Sequence, residues 1–341
     1  MRYIGGKTDL LPVIEEVLGR RHITSIIDIF SGSGAVSMHF ARKGMQVYGN
    51  DILFFSYILN KAAIQIARKP KYKNLSIKDP IGYLNNLSFD LAEIDRNDCF
   101  IWKNYSPHQN CTRQYFQEKN ALKIDIIRIT IERWYRLKKI TKNEYIYLLS
   151  RLIAAVPFVS NIAGVYGAYL KFWDKRSYKD LELKDAEFFV GLHSGNCVYN
   201  QDYKDILPSI QADLLYADPP YNTRQYLPNY HILETIARYD YPEIYGVSGM
   251  RKYGESEKSD FCSRAKVEQA FDSLIRQADV STIIISYNNE GLVSTEKLCD
   301  ICSAYARQGS FDLYQTPYGR YRNKEGQEKQ VYEQLYVFDK R

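Results

Sequence analysis

Ile23-Thr24-Ser25-Ile26-Ile27-Asp28-Ile29-Phe30 is a short β-branched run, and the turn Ser31-Gly32-Ser33-Gly34 follows it directly. Residues 35–43 have helical spacing after this turn. Met45-Gln46-Val47-Tyr48-Gly49-Asn50-Asp51 is a second strand-like run, and it ends in an acid. Because buried parallel strands are apolar throughout, this order predicts a strand, a crossover helix and a parallel second strand. We expect the unit to be right-handed.

Similar strand signals return only after residue 190, so the alternating pattern contains a long interruption. The later runs are 195–200, 212–217, 281–287 and a C-terminal hairpin of 311–316 with 331–338. The interruption has mainly helical character, notably over 121–140 and 142–155. The sequence therefore predicts an α/β fold: a Rossmann-like, doubly wound sheet with an inserted, mainly helical lobe. We assign residues 1–69 and 191–341 to one domain and residues 70–190 to the insert.

Composition excludes several classes of protein. The 341 residues are 45% hydrophobic, which is enough for a core and argues against intrinsic disorder. A membrane span needs roughly 18 consecutive apolar residues, and no such run is present. The N-terminus also lacks the layout of a signal peptide. The six scattered cysteines indicate a reducing cytoplasm, and we expect Cys299 and Cys302 to be buried structural residues rather than metal ligands.

Positive charge is concentrated in the predicted insert. The whole chain has a formal net charge of +6, and residues 70–190 contain 20 basic residues against 14 acidic ones. The richest run is 123–142, where seven basic residues accompany only Asp125 and Glu132. Such a run is either a solvated helix face or a surface that binds a polyanion. If it binds nucleic acid, we expect Arg133, Arg136 and Lys139 to contact it.

The glycine turn and the acid at the end of the second strand indicate an adenosine-containing ligand. Gly32 and Gly34 allow a close backbone approach at a helix N-terminus. The third glycine of the dinucleotide fingerprint is replaced by Ser37, which favours an amino-acid-like ligand over a pyrophosphate. Asp51 is placed to accept hydrogen bonds from a ribose. The alternative for Asp51 is a cap of the next helix.

The strongest chemical signal is Ala217-Asp218-Pro219-Pro220-Tyr221, directly after the apolar run 212–217. Two consecutive prolines end a strand and fix a rigid, extended turn. This arrangement suits a planar amine, because the Asp218 carboxylate and the Pro219 carbonyl accept its two N–H groups while Tyr221 stacks on the ring. A strand-ending turn without a ligand is the alternative.

These motifs, in this order, resemble adenine-specific DNA methyltransferases of the alpha group, the Dam-like superfamily. Arg2-Tyr3-Ile4-Gly5-Gly6-Lys7 is similar to the N-terminal cofactor motif of that family. The glycine turn, Asp51, Asn200-x-Asp202 and Asp218-Pro219-Pro220-Tyr221 follow in the family's order. Residues 222–226, 229–231 and 259–263 look closest to methylases of type IIS restriction systems. The resemblance covers nearly the whole chain.

The resemblance implies that the chain transfers a methyl group from S-adenosyl-L-methionine to the amino group of a flipped adenine in a specific duplex DNA sequence. Asp218, Pro219, Pro220 and Tyr221 would be the catalytic residues, and no metal would be needed. The implied cofactor contacts are Tyr3, Gly6, Lys7, Asp28, Phe30, Gly32, Gly34, Asp51 and Asp202. In residues 160–167, we expect Asn161 and Tyr166 to contact DNA, with a packed turn as the alternative. Arg224 and Tyr226, after the catalytic turn, complete the expected DNA contacts.

Three other functions share part of this pattern. An RNA adenine methyltransferase would use the same catalytic motif, although a basic insert of this length suits duplex reading better. A protein-glutamine methyltransferase usually carries Asn in place of Asp218. A catalytically inactive DNA-binding relative would not bind S-adenosylmethionine. For the favoured function we expect a monomer in the cytoplasm with a cognate restriction endonuclease encoded nearby, and no association with a membrane.

Overall fold

A computed structural model describes residues 7–19, 21–88, 94–189, 191–318 and 331–341. The described residues form two compact units. The first, called the sheet unit, comprises Lys7–Ile52, His193–Tyr226 and Glu255–Arg341. The second, called the helical unit, comprises Leu53–Leu192 and Leu227–Gly254. Compared with the predicted insert 70–190, the helical unit also contains 53–69 and 227–254, and its role in target recognition stays a prediction.

The described strands are mostly short and belong to one large sheet and one small hairpin. They are β1 (Ser25–Asp28), β2 (Gln46–Asn50), β3 (Cys197–Tyr199), β4 (Gln211–Ala217), β5 (Ile244–Tyr245), β6 (Met250–Arg251), β7 (Asp279–Asn288), β8 (Asp312–Tyr318) and β9 (Val331–Asp339). The runs predicted as strands are therefore confirmed, with ends that differ by a few residues.

The described α-helices lie in both units. They are α1 (Leu11–Leu18), α2 (Ala35–Arg42), α3 (Phe54–Ile64), α4 (Pro80–Asn86), α5 (Phe100–Tyr105), α6 (Glu118–Arg136), α7 (Lys142–Ala155), α8 (Tyr203–Ile206), α9 (Tyr226–Arg238), α10 (Val267–Gln277) and α11 (Thr295–Ser303). The helices predicted over 121–140 and 142–155 correspond to α6 and α7. Within the described ranges, no helix is long and apolar enough to cross a membrane.

The sheet unit is built on a seven-stranded sheet of order β3-β2-β1-β4-β7-β9-β8. The first five strands in this order, β3, β2, β1, β4 and β7, are parallel to one another. Strand β9 pairs antiparallel with both β7 and β8. This confirms a mixed α/β fold with a mostly parallel central sheet. On one side of β1 lie β2 and then β3, and on its other side lie β4 and then β7. The strand order thus changes direction between β1 and β4. The carboxyl ends of β1 and β4 therefore border the crevice where such sheets bind ligands.

Burial of apolar residues explains why these segments adopt the sheet. Ile26, Ile27 and Ile29 are completely buried in and just after β1, as the apolar run predicted. In α2, Val36, Phe40 and Ala41 are the buried apolar positions, and they recur at helical spacing. On α10 the residues Val267, Ala270, Phe271, Leu274 and Ile275 recur at helical spacing and share a core cluster with Ile27 and Ile29.

The helical unit has its own core around α6 and α7. Ile124, Ile127 and Ile131 of α6 are completely buried, as are Leu149 and Leu152 of α7. Helix α7 begins with a capping box in which the side chains of Thr141 and Glu144 satisfy each other's backbone N–H groups. Because two N–H groups at the start of the helix gain side-chain partners, the helix begins at a defined residue. The aliphatic stripes of α6 and α7 thus contribute a large share of this core, together with residues from the neighbouring helices.

Candidate active site

The glycine turn after β1 is held in a left-handed backbone conformation. Gly32 and Gly34 have φ values of +48° and +82°, which residues with a Cβ adopt only with strain. Below the turn, Asp28 is buried, and its carboxylate accepts hydrogen bonds from the Ser37 backbone N–H (3.0 Å) and hydroxyl (2.7 Å). Ser37, which replaces the third glycine of the dinucleotide fingerprint, therefore serves to tie α2 to the end of β1.

Asp51 lies at the end of β2, next to the glycine turn. Its carboxylate accepts a hydrogen bond from the Gly32 backbone N–H at 2.8 Å. The Asn200 amide, after β3, donates to the backbone carbonyls of Asp51 (2.8 Å) and Ile52 (2.9 Å). The structure thus brings together the loops after β1, β2 and β3, as the motif order implied. The expected ribose contact of Asp51 remains a prediction.

Aromatic side chains border the glycine turn. The ring of Phe30 lies 5.3 Å from that of Phe261 and 5.9 Å from that of Tyr203, measured between centroids. Asp202 immediately precedes α8 and accepts from the Lys204 backbone N–H at 2.9 Å, so it caps this short helix. Tyr3 and Gly6, which complete the predicted cofactor set, lie outside the described residues.

The Asp-Pro-Pro-Tyr turn begins immediately after β4, at the centre of the sheet. Pro219 and Pro220 are buried, whereas the Asp218 side chain is 24% exposed. The Tyr221 ring packs on the core, and its backbone carbonyl accepts from the Leu292 N–H at 3.0 Å. Further on, the Gln225 side chain exchanges hydrogen bonds with the Ser259 backbone (3.1 and 2.8 Å). This contact joins two of the segments that carried the family resemblance.

A lysine bridges two acids beside this turn. The Lys7 ammonium lies 3.1 Å from the Asp218 carboxylate and also forms an ion pair with Glu333. The same Glu333 oxygen accepts from the Ser286 hydroxyl at 2.7 Å. Lys7 and Glu333 are almost completely withdrawn from water, with side-chain exposures of 13% and 11%. Lys7 is therefore fixed between the predicted catalytic carboxylate and a second acid.

Sequence reasoning missed Glu333. This residue lies near the beginning of β9, opposite Asn288 at the end of β7. Because β9 is antiparallel to β7, its amino end reaches the edge of the sheet where the parallel strands end. The signal available in the sequence was an acid at an apolar strand start, Val331-Tyr332-Glu333, which is uncommon in a buried strand.

Burial and neighbouring charges shift the pKa values of this cluster in a consistent way. Burial raises the pKa of Asp218 to about 6; the positive charge of Lys7 opposes this shift, and the negative charge of Glu333 adds to it. For Lys7, burial lowers the pKa, but the two carboxylates outweigh burial and leave the pKa well above its ordinary value. Lys7 is accordingly charged at neutral pH. Burial also raises the pKa of Asp28 to about 7.

Two of the predicted DNA contacts are buried. Asn161 and Tyr166 have 0% and 2% of their surfaces exposed. The Tyr166 hydroxyl hydrogen-bonds with that of Ser160 at 2.9 Å, and its backbone carbonyl accepts from the Tyr115 hydroxyl at 2.8 Å. These two side chains are therefore packed within the turn 160–167, as in the alternative interpretation. Contact of Asn161 and Tyr166 with DNA stays a prediction.

The other predicted DNA contacts are at least partly exposed. Arg133, Arg136 and Lys139 lie on the surface at and after the end of α6, and Arg136 pairs with Glu132 at 3.0 Å. Arg224 is exposed, and Tyr226 is half-buried at the beginning of α9. Their contact with DNA stays a prediction.

The cysteines of the described residues form no disulfide. All six cysteines are free; Cys302 is buried and Cys299 half-buried. In the ranges that the structure describes, no group of three or more His, Cys, Asp or Glu residues is arranged to hold a metal ion. The chemistry-bearing groups of the sheet unit are thus the glycine turn, the strand-end acids and the Lys7 bridge.

A glycine turn, an acid at the next strand end and an Asp-Pro-Pro-Tyr turn at the central strand define a methyltransferase class that acts on amino groups. The chain belongs to the family of D12 class N6 adenine-specific DNA methyltransferases, whose model matches residues 3–301.

Relatives with curated names cover the full length of the chain. It is 43% identical to the type II methyltransferase M.FokI of Planomicrobium okeanokoites, over all of this chain and 53% of that protein. It is 39% identical to the modification methylase StsI of Streptococcus sanguinis, again over the whole chain and 52% of the relative. It is 35% identical to M.NlaIII of Neisseria lactamica, over 99% of that protein. The chain thus spans about half the length of the first two relatives and nearly all of the third.

Proposed function

We propose that this protein transfers a methyl group from S-adenosyl-L-methionine to the exocyclic amino group of an adenine in a specific duplex DNA sequence. One observation carries the proposal: Asp218-Pro219-Pro220-Tyr221 occupies the carboxyl end of β4, the strand next to the β1 glycine turn. Family membership supports the amino group of adenine as the acceptor. In this function the sheet unit is catalytic, and the helical unit recognises the DNA target.

The residues at the crevice fit the methyl donor. When bound, S-adenosylmethionine supplies an electrophilic sulfonium methyl group. Gly32 and Gly34 present backbone close to the ligand without side chains, and the Phe30 ring offers an apolar wall. Asp51 would hold the ribose hydroxyls, and Asp202 would accept from the adenine amino group of the donor. Tyr3, Gly6 and Lys7 would close the same pocket.

Asp218 and the Pro219 carbonyl prepare the target nitrogen for attack. The lone pair of an adenine amino group is delocalised into the ring, so the group is a poor nucleophile. Two hydrogen bonds from its N–H groups to these oxygens would favour tetrahedral geometry and localise the lone pair on nitrogen. The rigid Pro219-Pro220 pair would keep both acceptors in place, which is positioning and electrostatic stabilisation. Tyr221 would stack on the base, which must be flipped out of the duplex to reach this position.

Lys7 keeps the acceptor in the charged state, and Glu333 holds Lys7 in place. Burial alone would favour a protonated Asp218, which could donate but would accept poorly. The Lys7 ammonium 3.1 Å away counteracts burial and stabilises the carboxylate. Because Glu333 also binds Lys7, the lysine can remain in the site when an amino group approaches Asp218.

The relatives support a biological role in restriction and modification. Two of the three relatives described above are named type II methyltransferases, and the third is named a modification methylase. We propose that this protein likewise modifies DNA against a cognate restriction endonuclease encoded nearby, as a monomer that forms no stable complex with it. Its free cysteines suit a cytoplasmic location.

The decisive test is methyl transfer by Asp218→Ala. Tritiated S-adenosylmethionine and genomic DNA from cells without adenine methylation would be the substrates. We expect the variant to lose methyl transfer while calorimetry still detects binding of S-adenosylmethionine. Turnover by the variant at the wild-type rate would refute the mechanism. Transfer by the wild-type enzyme to structured RNA in preference to duplex DNA would refute the substrate.

A further inference from the structure

One surface segment of the helical unit combines aromatic and basic residues. Residues 169–179, Tyr-Leu-Lys-Phe-Trp-Asp-Lys-Arg-Ser-Tyr-Lys, contain four aromatic side chains and four basic residues but a single acid, Asp174. The next eight residues, 180–187, reverse this balance with four acids and one lysine. The positive and aromatic character is therefore confined to a short segment with a sharp end.

A buried asparagine holds this segment in place. The Asn161 side-chain N–H group donates to the Leu170 carbonyl at 3.1 Å, and its side-chain oxygen accepts from the Asp174 backbone N–H at 2.9 Å. The Asn161 backbone carbonyl also accepts from the Leu170 N–H at 2.9 Å. Both ends of the loop Leu170–Asp174 are thus fixed to one residue that is completely buried. These hydrogen bonds order the loop backbone and do not involve the side chains of Lys171 or Phe172.

The side chains that the loop presents are left in solvent. Phe172 is 67% exposed and Tyr178 is 56% exposed, which is unusual for rings of this size. Lys171, Lys175 and Lys179 are exposed, and no carboxylate of the described residues lies within ion-pair distance of them. Arg176 differs, because it donates to the Ile162 carbonyl and pairs with Asp174 at 3.4 Å. Arg176 therefore helps to fix the loop, and the three lysines face outward.

We propose that residues 169–179 form a DNA-binding surface of the helical unit, in which Lys171, Lys175 and Lys179 bind backbone phosphates and Phe172 inserts against a base. This inference rests on the proposed function. An ordered, exposed ring beside unpaired cations fits a polyanion that also offers flat apolar faces, and duplex DNA provides both when a base step is opened. A membrane would require a larger apolar face, and an acidic protein would not require a protruding ring.

Two variants test the two halves of this surface. Phe172→Ala should raise the KM for duplex DNA about tenfold or more, because base–aromatic stacking is lost. The triple variant Lys171→Gln/Lys175→Gln/Lys179→Gln should lower the slope of log binding constant against log salt by roughly 2 to 3, because three fewer counterions are released. Binding would be followed by fluorescence anisotropy with a labelled duplex, and methyl transfer with tritiated S-adenosylmethionine.

Matched control variants are available on the same unit. Lys71→Gln/Lys73→Gln/Lys78→Gln removes three other exposed lysines, and Tyr83→Ala removes another exposed ring. These controls should keep the wild-type KM and salt slope. The proposal is overturned if the loop variants bind DNA like the wild type, or if the control variants lose affinity equally. Because anisotropy does not depend on turnover, an inactive wild-type enzyme would refute the proposed function and still leave the DNA surface under test.

Discussion

The two units use charged residues in opposite ways. The sheet unit brings three charged residues together at one largely buried point, where Lys7 forms ion pairs with both Asp218 and Glu333. In the helical unit, charges are spread over a surface, and their roles depend on which of them face inward. Position in a motif is therefore informative for the sheet unit, whereas charge density alone is a poor guide to function for the helical unit.

The run 123–142 illustrates this limit of charge density. Arg128 is buried and donates to the Ile236 carbonyl (2.9 Å) and to Glu132 (2.9 Å). Lys123 donates to the Asn85 carbonyl at 2.8 Å. The most basic run of the sequence thus uses part of its charge to hold the unit together. In the shorter segment 169–179, the three lysines face the solvent.

The largest effect is expected at the convergent cluster of the sheet unit. Asp218→Asn keeps the size of the side chain but removes its charge, so the target amino group loses its strongest acceptor. We expect kcat to fall about a thousandfold, comparable to the loss of a preorganised transition-state contact. The measurement is single-turnover methyl transfer at saturating DNA. A fall of less than tenfold would mean that Asp218 is not the main acceptor.

A smaller effect with a distinct signature is expected for Glu333→Gln. In the wild type, activity should decline as pH falls through about 6, because Asp218 becomes protonated. The negative charge of Glu333 contributes to the raised pKa of Asp218, so its removal should move this acidic limb to lower pH. Because Lys7 also loses an anchor, we expect kcat to fall roughly tenfold by loss of positioning.

Glu333→Asp is the control for this effect. It retains the negative charge, so the acidic limb of its pH profile should stay near that of the wild type. If Glu333→Gln lowers kcat without moving the pH profile, the residue has a packing role only.

In the helical unit, the support of the loop should matter more than any one surface charge. Asn161→Ala leaves the Asp174 N–H and the Leu170 and Gln114 carbonyls without partners. We expect the free energy of unfolding to fall by about 2–4 kcal/mol, and the KM for DNA to rise. Urea denaturation measures the first quantity. Unchanged stability would show that Asn161 does not anchor the loop.

The smallest effect is expected for Arg133→Gln/Arg136→Gln. Glu132 already compensates part of this charge through its pair with Arg136 at 3.0 Å. Binding to all DNA sequences should weaken only about two- to threefold, with the salt slope reduced by roughly 1 or less. Anisotropy with two unrelated duplexes checks this. Loss of affinity for one sequence alone would instead assign base reading to these arginines.

Much of the sheet unit could be predicted because its chemistry follows parallel strands. Each apolar run ends at the same edge, so Asp51, Asp202 and Asp218 could be assigned to one crevice from their order. Glu333 could not, since it comes from the start of an antiparallel strand whose register with β7 is set by tertiary pairing.

In the helical unit, residue type alone does not indicate which contacts a side chain makes. Asn161 and Tyr166 are residues that often contact bases, but here the Asn161 amide hydrogen-bonds with backbone atoms and the Tyr166 hydroxyl with the Ser160 hydroxyl. A sequence does not distinguish these two uses, because both need the same hydrogen-bonding groups. Phe172 is the opposite case. An aromatic residue is normally expected in the core, and only the exposure of Phe172 marks it as a candidate DNA contact.

The attachment of one loop at two points by Asn161 has a practical consequence for engineering. The residues between Leu170 and Asp174 can be replaced as a cassette, because the amide that holds the loop contacts backbone atoms and not their side chains. A library that varies Lys171 and Phe172 would keep these backbone hydrogen bonds. Anisotropy with labelled duplex DNA would then measure how each exposed side chain contributes to affinity.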